Sequence, residues 1–135
     1  MIAVLCIDDN NGLMFNRRRL SQGRALRADL LREAGGRRLW MNAYSRRQFG
    51  AEGEGLITVD EDFLARAGAG DLCFVEGAAL LPHLARMEGL ILYRWNRRYP
   101  ADVYLDLDLS SLRLCASEEF PGHSHETITK EVYCL

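Results

Sequence analysis

Ile2-Ala3-Val4-Leu5-Cys6-Ile7, closed by Asp8-Asp9-Asn10-Asn11-Gly12, is where the fold can first be read. An apolar run this short and unbroken, rich in β-branched residues, predicts a strand buried on both faces. The turn formers after it end the strand. A strand covered on both sides needs a layer above and a layer below, which points to an α/β domain.

Working outward, Ser21 is placed to cap a helix over residues 22–34, with Leu26, Leu30, Leu31 and Ala34 on one face and Gly35-Gly36 as its stop. Further buried strands are expected at 38–41, 56–59, 71–76 and 90–95. Helices are expected at 42–49, from the Asp60 region through Ala67, and over 78–88 by the Leu80, Leu81, Leu84, Met87 spacing. Val103, Leu105, Leu107 and Leu109 alternate with polar residues as a strand with one wet face. Residues 112–118 and 126–135 form a terminal hairpin. Strand–helix alternation followed by strands alone predicts one domain over 1–135. Its architecture is a three-layer α/β/α mixed sheet, mainly parallel, with a C-terminal antiparallel hairpin.

Composition narrows the class. The chain has 135 residues, of which 48% are apolar and 27% charged, an ordinary globular balance. No apolar run is long enough for a membrane helix, and the start lacks a basic leader, so a cytoplasmic location is expected. Cys6, Cys73, Cys115 and Cys134 form no Cys-x-x-Cys pair and sit in apolar runs, so buried free thiols are expected and a disulfide framework is not. Sixteen of the seventeen basic residues are Arg, and Lys130 is the exception. Residues 1–48 hold ten Arg and four acids, whereas residues 49–135 hold seven basic residues and fifteen acids. The net charge of −2 therefore conceals a basic first third.

Several motifs together resemble the dihydrofolate reductase fold family. They are Ile2 to Gly12, the helix after Arg19-Leu20-Ser21, Leu39-Trp40-Met41 running into Asn42-Ala43-Tyr44-Ser45, Phe74-Val75-Glu76-Gly77, and Tyr99-Pro100-Ala101-Asp102-Val103-Tyr104. The resemblance implies a cleft lined by Asp8, Asn11, Phe15, Asn42, Tyr44, Glu76 and Gly77. It also locates departures. The family's folate-anchoring carboxylate falls near Ser21 or Gly23, and its cofactor-facing Gly-Gly pair is Glu76-Gly77. A Glu there sets a negative charge beside the cofactor's phosphates. The expectation is a domain of this fold without a recognisable reductase site, binding a small anionic or heteroaromatic ligand or acting as an interaction module. No catalytic residue is assigned and no cofactor is expected. The alternative is an NADPH-dependent reductase of an altered pterin-like or nucleotide-like substrate, with Ser45, Arg46 and Arg47 on the cofactor phosphate.

Other constellations point elsewhere. His123 and His125 have the spacing of a zinc chelate on an extended segment. Asp8, Asp9, Glu76 and Asp102 could gather at the strand ends as a carboxylate cluster. Trp95 and Tyr99, with Arg97 and Arg98, could flank a planar ligand. The N-terminal arginines could bind nucleic acid, but the negative net charge and the lack of a nucleic-acid motif argue against that partner. A homodimer is open through Thr127 to Leu135, if that strand is a sheet edge.

Overall fold

The computed structural model describes residues 1–122 and 127–135. The opening run is the strand β1 (Ile2–Ile7), and Ala3, Val4, Leu5 and Ile7 are all fully buried. The elements that follow are β2 (Gly12–Phe15), β3 (Arg18–Arg19), α1 (Arg24–Ala34), β4 (Leu39–Met41), α2 (Ala43–Arg46), β5 (Ile57–Val59), α3 (Phe63–Arg66) and β6 (Leu72–Phe74). The remaining strands are β7 (Gly89–Arg94), β8 (Val103–Tyr104), β9 (Arg113–Phe120) and β10 (Ile128–Cys134).

Seven strands form one sheet in the order β5-β4-β6-β1-β7-β10-β9. Its first five strands run parallel, and β10 pairs antiparallel with both β7 and β9. The terminal hairpin thus continues the sheet. The sheet buries side chains on both faces. Leu26, Leu30 and Ala34 of α1 pack with Val4, Leu39, Met41, Phe74 and Ile91 on one face. On the other, Phe63 and Leu64 of α3, Leu13 and Met14 of β2, and Leu107 pack with Ala3, Leu5 and Trp40. The small sheet β3-β2-β8 is part of that second cover. This is the expected mixed α/β architecture, mainly parallel with an antiparallel C-terminal hairpin, but with less helix than expected, since α2 and α3 are four residues each.

Local departures have local causes. The expected helix at 78–88 is a 3₁₀ segment over Leu81–Arg86, with none of its residues buried. Pro82 at its start withholds a backbone donor, and the apolar anchors Leu80 and Met87 lie just outside it. The alternating stretch after Val103 leaves the strand at once, because Leu105, Leu107 and Leu109 pack against the core as a chain cover. The N-cap of α1 is Gly23, with no side-chain cap, rather than Ser21.

Two expectations are overturned. Cys115 and Cys134 form a disulfide with Cα atoms 6.0 Å apart, so only Cys6 and Cys73 are free thiols. Apolar context alone concealed that the hairpin sets these two side chains against each other. The final strand is also no edge. β10 is paired on both sides, and β9 is the outer strand. No helix among the described residues is long and apolar enough to cross a membrane.

Candidate functional site

The carboxyl ends of the parallel strands meet along one edge of the sheet, the position where open α/β sheets bind ligands. The loop after β1 carries Asp8, which is almost fully buried. Its Oδ1 accepts from the backbone N–H groups of Asn10 (2.9 Å) and Gly12 (2.7 Å), and its Oδ2 accepts from that of Tyr99 (3.0 Å). Asp8 therefore ties two loops together. Gly12 cannot be replaced without a clash, since a Cβ there would sit 2.7 Å from that of Ala101. Asn11, at φ +62°, continues the same turn, and Phe15 is half exposed on β2.

Behind this loop lies a polar network centred on Glu76, two residues beyond β6. Its carboxylate takes the Arg19 guanidinium in a two-pronged grip, Nε at 2.9 Å and Nη2 at 3.1 Å. It also accepts from Ser45 Oγ at 2.8 Å and Gln48 Nε2 at 3.1 Å. Arg19 stacks over the Tyr44 ring at 4.3 Å, and its backbone N–H donates to the Tyr44 hydroxyl at 3.0 Å. Asn42 caps α2 by accepting from the Ser45 N–H at 2.9 Å, which turns Ser45 toward Glu76. Burial lowers the Arg19 guanidinium, but its bonds and charge contact with Glu76 outweigh that and hold it above its ordinary value. Beneath the pair, burial and the Glu76 charge push the Cys6 thiol well up. Gly77, at φ +93°, brings its backbone against Met14, whose Sδ fills the space a Cβ would need.

Of the expected cleft residues, Asn42, Tyr44, Glu76 and Gly77 come together here, while Asp8 and Asn11 belong to the neighbouring loop. The residues expected on a cofactor phosphate do not converge. Ser45 is committed to Glu76, Arg46 donates to the carbonyls of Phe49 (2.6 Å) and Gly50 (3.4 Å), and Arg47 is exposed. As arranged, this edge presents a carboxylate where the resemblance places glycine, and the residues do not fit a dinucleotide phosphate. The acids do not gather either. Asp102 accepts from the Asn16 N–H at 3.0 Å, and no group of three or more possible metal ligands occurs among the described residues. His123 and His125 lie outside the described residues. Trp95 is a core side chain.

Sequence reasoning passed over a groove beside this network. It measures about 730 Å³ between α1 and the segment after α2, lined by Arg24, Arg27, Ala28, Leu31, Arg32, Gln48, Gly50 and Glu52. The five α1 residues follow helical spacing along one face, and that spacing was the available signal. Ala28 and Leu31 supply an apolar floor, and the charged lining is three arginines, Arg24, Arg27 and Arg32, with one carboxylate, Glu52. Hydrogen bonds from the backbone N–H groups of Glu52 and Gly50 hold the Glu52 carboxyl below its ordinary value. Arg27 Nε is buried and has no hydrogen-bond partner, with its nearest acid, Glu52, at 3.7 Å. Gln48 belongs to both places, touching Glu76 and lining the groove.

Sheet order and crevice together define a dihydrofolate reductase-like fold. The chain is similar to a dihydrofolate reductase from Enterococcus faecalis, complexed with NADP(H) and RAB-propyl, at a TM-score of 0.68. The match covers 98% of this chain and 94% of that one at 9% identity, so it is a likeness of fold. No protein-family model and no curated protein matches the chain.

Proposed function

We propose that this domain binds a small anionic ligand in the groove between α1 and residues 48–52, without reductase chemistry. The observation that carries this reading is the cationic lining of the groove, where Arg24, Arg27 and Arg32 stand with one carboxylate, Glu52, which pairs with Arg27 at 3.7 Å. A carboxylate or phosphate would accept from these guanidiniums and balance the excess positive charge. Arg32 is also bonded to Asp29 at 3.2 Å, an acid that does not line the groove. Ala28 and Leu31 would take the apolar or heteroaromatic body of the ligand.

The test is a thermal-shift and calorimetric panel of aromatic carboxylates and inorganic phosphate. A ligand at ten times its Kd stabilises by about 1.4 kcal/mol, and a matching rise in melting temperature is expected. Arg27→Met should weaken binding tenfold or more, the range of a lost charge-assisted bond. Equal affinity in the variant, or no binding across the panel, refutes the reading.

The second reading, an NADPH-dependent reductase, is favoured by one observation, the NADP(H) held by the similar enterococcal reductase. Opposing it is Glu76, gripped by Arg19, Ser45 and Gln48 where a phosphate would need donors. NADPH in the same panel decides between the two. The Cys115–Cys134 bond removes the thiol argument for a cytoplasmic location.

A further inference from the structure

The outer strand of the main sheet has not been given a role by the ligand groove. β9 is eight residues long, about 26 Å of strand, and seven of its residues are exposed. It closes the sheet on that side, and its outer side is not paired with another strand among the described residues. Its sequence, Arg113-Leu114-Cys115-Ala116-Ser117-Glu118-Glu119-Phe120, holds no Pro or Gly, and its charged residues and bulge restrict which strand can add to it rather than closing the edge. The disulfide from Cys115 to Cys134 ties it to β10. An edge already ordered in this way loses little conformational freedom when a second strand adds to it.

Its charges name the partner. Arg113 stands opposite Cys134 and Glu118 opposite Lys130, and those β10 positions are four residues apart, so Arg113 and Glu118 share one face. Ala116 stands opposite Val132 on the same face, and Cys115 is the extra residue at the bulge between them. With Cys115 looped out of register, Ala116 lies midway between Arg113 and Glu118. A two-fold axis through Ala116 therefore brings Arg113 of each copy opposite Glu118 of the other. Two charge pairs form across the axis, and the smallest side chain of the strand sits on it. Exposed Leu114 then faces Ser117 of the other copy. A parallel alignment would set Arg113 against Arg113 and Glu118 against Glu118, which is unfavourable. We infer that β9 is a self-complementary edge that pairs antiparallel with β9 of a second copy of this chain, extending the sheet across a dimer.

Sedimentation analysis over a micromolar to millimolar series tests this. The wild-type chain should dimerise, more weakly at high salt. Arg113→Glu and Glu118→Arg should each weaken dimerisation tenfold or more, since each sets like charges opposite one another. An equimolar mixture of the two variants should recover dimerisation. One variant then carries acids at both positions and the other carries arginines at both, so each contact across the axis joins opposite charges. That recovery also shows that neither variant failed merely by misfolding. A wild-type chain that stays monomeric throughout overturns the inference. So does a dimer indifferent to the single reversals, or a mixture no stronger than its components.

Discussion

Lys130, the one Lys of the chain, carries a prediction that tests the tertiary structure directly. It is almost fully buried on β10, and its Nζ lies 2.9 Å from Asp29 Oδ2 and 2.8 Å from Glu33 Oε1, both on α1. Glu118 of β9 lies at 3.7 Å. Tyr93 of β7 donates its hydroxyl to Asp29 at 2.5 Å. One cation thus locks the main helix to the antiparallel half of the sheet. Lys130→Met keeps the stem volume and removes the charge, leaving two carboxylates one helical turn apart. Breaking a buried pair in this way costs about 3–5 kcal/mol. Asp29 keeps Tyr93 and Arg32 (3.2 Å), and Glu33 keeps Arg37 (3.5 Å), which sets the expectation at the lower end, about 3 kcal/mol. Unfolding entropy for 135 residues is about 0.28 kcal/mol/K, so the melting temperature should fall by roughly 10 °C.

The pH profile gives a second readout of the same substitution. Burial raises the Asp29 carboxyl, but the hydrogen bonds from Tyr93 and Lys130 outweigh it and hold it below its ordinary value. Its contribution is therefore present above the unfolded carboxylate pKa, about 3.9, and is lost as the pH falls through the lower folded value. Burial lowers the Lys130 ammonium, and its bonds to Glu33 and Asp29 more than restore it, so its folded pKa is raised. That contribution is complete below the unfolded lysine value and disappears only in strong alkali. The gap between wild type and variant should be flat through neutral pH and narrow in acid. Calorimetric melts across pH, with a double-mutant cycle to Asp29→Asn, check both points. A melting temperature within about 2 °C of wild type, or no coupling in the cycle, refutes the reasoning.

Replacing both Cys115 and Cys134 by Ser should cost about 3 kcal/mol, the closure term for a loop of this size, measured by denaturant titration against the oxidised protein. Gly77→Ala should cost roughly 3 kcal/mol, combining left-handed backbone strain with the contact to Met14. Gly36→Ala, at nearly the same φ but with open space around it, should cost only about 1 kcal/mol, and equal losses at the two sites would deny the Met14 contact.

The parts of the fold that were legible are those set by local pattern. The buried runs that became β1, β6 and β7 announce themselves because a strand covered on both faces must be apolar at every position. The helix face of Leu26, Leu30 and Ala34 reads from its spacing, and Gly35 ends α1 at φ +51° as expected. Where local pattern was ambiguous, tertiary contact decided. Leu81 and Leu84 fit a helical stripe yet are exposed, because the sheet beneath is covered instead by Leu105, Leu107 and Leu109.

The candidate site was legible only as residue types. Tyr44, Ser45 and Glu76 could be named, but Arg19 is 57 positions from Glu76, and no local rule couples them. Such a pair exists because the small sheet that holds β3 packs on the main sheet and brings Arg19 to the end of β6. The same holds for Lys130 with Asp29 and for Cys115 with Cys134. From its sequence alone this protein was bound to form a mainly parallel sheet closed by a hairpin, since burial on two faces dictates composition residue by residue. Which charges neutralise one another, which guanidiniums gather along one groove, and which strand forms the outer edge depend on distances between remote segments, and only the folded chain sets those.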